Sequence, residues 1–97
     1  MRLDKWLKVS RLIKRRTVAQ MACEQGRVFV NDKPAKSALE IKVSDTVHLE
    51  LGSRALTVEV TLVPESAVAA QDASTLYRLI EEIRRPPMVL EWLSDDA

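Results

Sequence analysis

The chain holds a single cysteine, Cys23, in 97 residues. That excludes an internal disulfide and a cysteine-based zinc site, and it fits a reducing compartment. Two glycines leave no glycine-rich loop to cradle phosphate, and the length leaves no room for an NTPase or a large catalytic domain. Aromatic residues make up 4 % of the chain, too few for a platform on which successive bases stack. No apolar run approaches the ~20 residues needed to span a bilayer. Charge at Arg2, Asp4, Lys5 and Lys8 with no apolar stretch behind it is not the pattern of a secretory signal. The expectation is a cytoplasmic chain with one modest core, no membrane association and no cofactor.

What is present is charge, unevenly placed. The formal net charge is +1, but residues 1–36 carry +7 and residues 37–97 carry −6. Such asymmetry points to a polyanionic partner for the basic half. The acidic half is expected to face away from it.

Leu3, Trp6, Leu7, Ser10 and Ile13 recur at steps of three and four, which predicts a helix from about Arg2 to Ile13. Arg2, Lys5, Lys8, Arg11 and Lys14 wind around its other side. Thr17-Val18-Ala19-Gln20 reads as a capping box opening a second helix, with Val18, Met21 and Ala22 on one face. Gly26 stands where a helix-ending glycine belongs. The period then changes to two. Arg27–Val30 reads as a strand, Asn31-Asp32 as a turn, and Pro34 as a residue suited to a sheet edge. Val43-Ser44-Asp45 makes a bend. Val47, Leu49 and Leu51, then Leu56, Val58, Val60 and Leu62, alternate with polar residues around a turn at Gly52-Ser53, predicting two antiparallel strands. Residues 65–73 read as a linker or frayed helix. Leu76, Leu79, Ile80 and Ile83 predict an amphipathic helix ending before Pro86-Pro87. Met88-Val89-Leu90 and Trp92-Leu93 form a short apolar end before Asp95-Asp96.

Arg2-Leu3-Asp4-Lys5-Trp6-Leu7, then Arg15-Arg16-Thr17, then Gln25-Gly26-Arg27-Val28 with Val30-Asn31, resembles the S-four RNA-binding domain over about residues 1–63. That helix–helix–hairpin module is named after ribosomal small-subunit protein four. The run from Met1 to Thr17 is similar to the RqcP family of bacterial ribosome-associated quality control, whose relatives include the fifteen-kilodalton heat-shock protein. The resemblance implies binding to large ribosomal subunits obstructed by peptidyl-tRNA, with contacts to rRNA and tRNA. It implies work beside the tailing factor RqcH, which brings alanyl-tRNA, so that alanines are added to stalled chains. The short acidic tail favours the RqcP branch over the heat-shock relative, which carries a basic extension. Two departures are Asn31-Asp32 in place of the usual Asn-Gly, and Ser44 at a position that is commonly glycine.

The binding residues are expected to be Arg11, Lys14, Arg15 and Arg16, four cations within six residues, since clustered cations on closely spaced phosphates release condensed counterions. Arg2, Lys5 and Lys8 extend that patch. Thr17 and the first amides of the second helix offer a phosphate site, and Arg27 reaches toward the same surface. Lys33 and Lys36 read equally as contacts or as solubilising edge charges. Asp4 is expected to pair with a nearby Arg or Lys rather than touch RNA. Trp6, Phe29 and Tyr77 read as structural. Cys23 and His48 have no catalytic companions, and Glu81-Glu82 are adjacent, a poor arrangement for shared acid–base work. The Arg-Leu-Asp segment also occurs in pseudouridine synthases, but the Thr-Gly that follows it there is missing.

Two other classes compete. A DNA-binding regulator would use the two helices as a helix-turn-helix, yet the second helix offers Gln20, Glu24 and Gln25 and no Arg or Lys to read guanine. A protein-interaction module would use the C-terminal helix and the end at Trp92. The expected fold is α+β: two N-terminal helices packed on a small, mostly antiparallel sheet, plus a C-terminal helix. Residues 1–63 form the RNA-binding domain and residues 64–97 a linker, helix and tail. The protein is expected to be a monomer without metal, cofactor or catalysis.

Overall fold

The computed structural model describes residues 1–65 and 70–84. Two helices, α1 (Leu3–Val9) and α2 (Arg16–Glu24), precede strands β1 (Val28–Val30), β2 (Lys33–Pro34), β3 (Thr46–Glu50) and β4 (Arg54–Val60). A 3-10 helix (Ala70–Leu76) then leads into β5 (Tyr77–Arg84). Among the described residues the strands form one antiparallel sheet in the order β2-β1-β3-β4-β5. This is the α+β arrangement expected, with both helices on one face. No described helix is long and apolar enough to cross a membrane.

The core lies between the helices and the sheet. Leu3, Trp6 and Leu7 of α1 are fully buried, and Ala19, Ala22 and Cys23 form the buried side of α2. They meet Val28 and Val30, Val47 and Leu49, and Leu56, Val58 and Val60, which the strand period places on one face. Trp6 is core, as expected, and its indole nitrogen donates to the Leu62 carbonyl at 3.2 Å. The small residues of α2 let it pack closely, and this stripe differs from the one expected. Ala22 is buried, but Val18 and Met21 are exposed.

Turn chemistry sets the path. Gly26 ends α2 with φ +71°, and the Arg27 and Gly26 amides donate to the Ala22 and Cys23 carbonyls at 2.9 and 3.1 Å, a Schellman closure. Asn31 and Asp32 both take positive φ (52° and 68°), the geometry of the two-residue hairpin that joins Val30 to Lys33. Asn31 also ties this hairpin to β3, since its side-chain oxygen accepts from the Thr46 amide at 3.0 Å. Ser44 has φ 79°, so the position where glycine is common does need the left-handed region. Pro34 sits on the outer strand, as expected of an edge proline.

Three further expectations are corrected. The first helix ends at Val9, not Ile13, because Arg11 turns left-handed with φ 65°. Thr17 caps nothing: α2 starts at Arg16, its N-cap is Arg15 with no side-chain cap bond, and Gln20 turns to Asp4 instead. The segment expected as an amphipathic C-terminal helix is β5, a strand. Its 3–4 spacing is real, but a helix there has nowhere to bury its stripe. The inner sheet face is covered by α1 and α2, and the outer face carries Phe29, His48, Thr57 and Glu59. Pairing with the free edge of β4 supplies seven ladder pairs instead, with Ile80 left over as a bulge between the Glu81 and Leu79 pairs. Leu76 is buried while Leu79, Ile80 and Ile83 stay half exposed. Part of the expected linker is the 3-10 helix. The apolar piece from Met88 to Leu93 lies outside the described residues.

Candidate nucleic-acid interface

Asp4 organises the start of the basic region. It stands in the first turn of α1 with no solvent exposure. One carboxylate oxygen accepts from the Gln20 side-chain amide at 2.9 Å and from Arg2 at 3.3 Å, and it forms an ion pair with Arg16 Nε at 3.3 Å. The other accepts from the Lys5 amide at 2.7 Å. Burial pushes the carboxyl pKa up. The Gln20 and Arg16 contacts, the Lys5 amide and the Arg16 charge outweigh that and hold it below the ordinary aspartate value. Asp4 pairs with neighbouring arginines, as expected. The buried Arg16 Nε faces this carboxylate, so the exposed part of the side chain is left for solvent or a ligand. Arg2, Lys5 and Arg16 line one cleft of about 550 Å³ with Met1, Val63, Pro64 and Glu65.

A second group sits in the connection between the helices. Ser10 and Ile13 are buried there, and the Ser10 hydroxyl donates to the Leu7 carbonyl at 3.1 Å. Pinned by these two, the connection presents Arg11, Lys14 and Arg15 outward, all exposed. Lys8 is exposed on the last turn of α1, and Thr17 on the first turn of α2. Arg11 occupies the position just past a helix end where glycine is favoured. None of Lys5, Lys8, Arg11, Lys14, Arg15 or Arg27 forms an ion pair among the described residues.

The structure thus brings eight of the nine residues singled out in the sequence to α1, the interhelical connection and the first turn of α2. Arg27 is exposed but lies past the other end of α2, roughly 13 Å along a nine-residue helix. Sequence reasoning missed two features. Gln20 belongs to the Asp4 cluster, and Val18 and Met21 stand on the exposed face of α2, 47 % and 54 % accessible. The small-residue spacing Ala19, Ala22, Cys23 was the signal for the true buried stripe.

The remaining chemistry-bearing side chains are occupied structurally. Cys23 is nearly buried, and burial, then the Asp4 and Glu24 charges, push its thiol pKa up. That is the opposite of an activated nucleophile. His48 lies on the outer sheet face between Thr57 Oγ1 and Glu50 Oε1, each at 2.9 Å, with the Phe29 ring tilted at 5.9 Å. Glu50, Glu59 and Glu81 share that outer face, whereas Glu40 and Glu65 of the acidic half stand beside the start of α1, against the expectation that this half faces away.

Residues 1–47 match the family model of the S4 domain. The chain is 51 % identical to the RQC P-site tRNA stabilizing factor of Halalkalibacterium halodurans over 82 residues, covering 84 % of this chain and 92 % of that protein. It is 46 % identical to the factor of the same name from Streptococcus pneumoniae over 84 residues, 87 % of this chain and 94 % of the relative. Among solved structures, trimeric heat shock protein 15 of Vibrio cholerae superposes with a TM-score of 0.77 at 30 % identity, covering 82 % of this chain and 81 % of its own. Identity at this level across nearly the whole length of the relatives, on a matching fold, means that the chain belongs to the family of RQC P-site tRNA stabilizing factors.

Proposed function

We propose that this protein is a non-catalytic RNA-binding factor of ribosome-associated quality control. It binds the large ribosomal subunit obstructed by peptidyl-tRNA, touches rRNA and P-site tRNA, and supports alanine tailing beside RqcH. It acts in the cytoplasm as a monomer, without metal or cofactor. Residues 1–63 carry the RNA contacts. The observation that carries this reading is the pairing pattern on the helical side. A buried carboxylate fixes Arg2 and Arg16, while the exposed cations around them are left without internal partners. An RNA surface, with closely spaced phosphates, is the partner such a surface fits. The names of the relatives supply the ribosomal setting.

Arg11, Lys14, Arg15, Lys8 and Thr17 meet one RNA surface, and Arg2, Lys5 and Arg16 an adjoining one; Arg27 makes a peripheral contact. Planar guanidinium groups give bidentate contact to phosphate. The test is co-sedimentation with ribosomal fractions at two salt concentrations. Wild-type protein is expected with large subunits, weakened by salt, and Lys14→Ala/Arg15→Ala is expected at the top of the gradient. Peptidyl-tRNA in the same fractions marks quality control. Wild-type protein that stays at the top of the gradient refutes the ribosomal reading. A sedimentation-velocity run of the free protein decides the monomer assignment.

A further inference from the structure

The exposed face of α2 is not basic. Thr17, Val18 and Met21 occupy it, and Glu24 closes its far end. Val18 and Met21 are half exposed, although both are large and apolar. Lys14, Arg15 and Arg11 cluster at its N-terminal end, whereas Arg27 stands past the other end and Lys36 lines a cleft there with Glu24. The patch is therefore continuous with the basic cluster at one end, and the helix itself carries an acid, Glu24, at the other. The helical side has no exposed aromatic ring among the described residues, because Trp6 is buried and Phe29 lies across the sheet. A single-stranded ligand that stacks its bases has nothing here to stack on.

We propose that the first two turns of α2 seat the minor groove of an RNA duplex, with Val18 and Met21 packed on its riboses and Thr17 placed at a 2′-hydroxyl. This rests on the RNA-binding reading above and names the kind of RNA surface that α2 meets. The A-form minor groove is wide, shallow and lined by sugars, whereas the major groove is too deep and narrow for side chains to enter. Its sugars give apolar side chains a surface to cover, and its flanking phosphates fall to Arg11, Lys14 and Arg15. Binding then has two separable parts, one that salt screens and one that it does not.

The test measures equilibrium binding of the full chain to protein-free large-subunit rRNA and to intact large subunits over a series of KCl concentrations. Val18→Thr/Met21→Gln keeps the side-chain volumes and removes the apolar character. It is expected to weaken binding about tenfold at every salt concentration, the size that losing two half-exposed apolar contacts implies, with the slope of log K against log salt unchanged. Lys14→Ala/Arg15→Ala is expected to flatten that slope. Val18→Ile/Met21→Leu is expected to bind like wild type. Met21→Gln alone carries the same test without touching the first turn of α2. Equal affinity of Val18→Thr/Met21→Gln and wild type, with wild type bound, overturns this inference alone. A defect on subunits that is absent on bare rRNA also overturns it, because the face then meets a ribosomal protein. Failure of the wild-type chain to bind either RNA overturns the RNA reading and this inference with it.

Discussion

Among the described residues, the cations of the helices contrast with the arginines of β4 and β5. On the sheet, Arg54 and Arg84 both pair with Glu82, and Arg78 pairs with Glu59. Each of these three arginines has an acid within the molecule, while Lys33 on the edge strand has no ion pair among the described residues. On the helical side, among the described side chains, only Arg2 and Arg16 have an acid, and they share one buried carboxylate. Lys5, Lys8, Arg11, Lys14 and Arg15 have none. The near-neutral net charge of the chain conceals this division. At physiological salt, fields fade over ~8 Å, so a partner at the helices experiences local charge rather than the total. Paired cations shape the fold; unpaired ones are available to a ligand.

The largest expected effect comes from removing unpaired cations. Lys14→Ala/Arg15→Ala should lower affinity for large subunits at least tenfold and reduce the salt slope by about one to two units. Both side chains are exposed, so the melting temperature should stay near wild type. Asp4 gives a sharper division. If net charge alone governed binding, Asp4→Asn would raise affinity. If Asp4 positions Arg2 and Arg16, the same change lowers it, by about threefold to tenfold, and that is the outcome expected. Asp4→Asn should also cost about 1–2 kcal/mol of stability at neutral pH, since a charged acceptor at a helix start is lost but the amide still accepts. The pH dependence has a definite sign. The folded pKa is lowered, so the contribution is complete above the ordinary value of 3.8 and disappears as pH falls through the lower folded value. Urea titrations of wild type and Asp4→Asn should therefore converge in acid.

The two regions also differ in how far their structure is readable from sequence. Near the N-terminus, several local signals agree with the tertiary structure. The spacing of Leu3, Trp6 and Leu7 buries one side of α1, Gly26 takes the left-handed position, and Asn31-Asp32 makes the hairpin turn. The pairing of Asp4 with a nearby Arg or Lys is present, with Arg2 and Arg16 as its partners. The misreadings occur where one pattern serves two structures. Thr17 and Gln20 have capping-box spacing, but a buried carboxylate attracts an amide more strongly than an exposed helix end does, so Gln20 follows Asp4. Leu76, Leu79, Ile80 and Ile83 have helical spacing, but the choice there depends on the unpaired edge of β4, which no local window contains. The left-handed conformation of Arg11 is likewise set by its surroundings, since Ser10 and Ile13 are buried on either side of it.

Arg11 and Asp32 are both non-glycine residues at positive φ, one between the helices and one in a hairpin of the sheet, and they separate strain kept for binding from strain without such a use. Asp32→Gly should stabilise the fold by about 0.5–1 kcal/mol, as relief of a left-handed residue in a hairpin turn, and leave subunit binding unchanged. Arg11→Gly should stabilise by a similar ~0.5–1 kcal/mol yet weaken binding severalfold, because the relieved residue is also an exposed, unpaired guanidinium. Thermal melts read the first quantity, with roughly 4–8 °C per kcal/mol for a chain of this size, and subunit titrations read the second.

The smallest expected effect is at Arg78. Its Nε and Nη2 both donate to Glu59 Oε1, at 3.0 and 2.9 Å, on the outer face of the sheet. The arginine side chain is 65 % exposed, so Arg78→Ala should cost less than about 1 kcal/mol and leave large-subunit binding at its wild-type value. Glu59→Gln is the stricter comparison. It frees a guanidinium and raises the net charge by one, as Asp4→Asn does, but on the face opposite α1 and α2. Unchanged binding in Glu59→Gln beside weakened binding in Asp4→Asn would mean that the position of a cation, and not the sum of charge, determines what the molecule holds. Tighter binding in Glu59→Gln would place the outer sheet face within reach of the RNA and would erase the distinction between the two groups of cations.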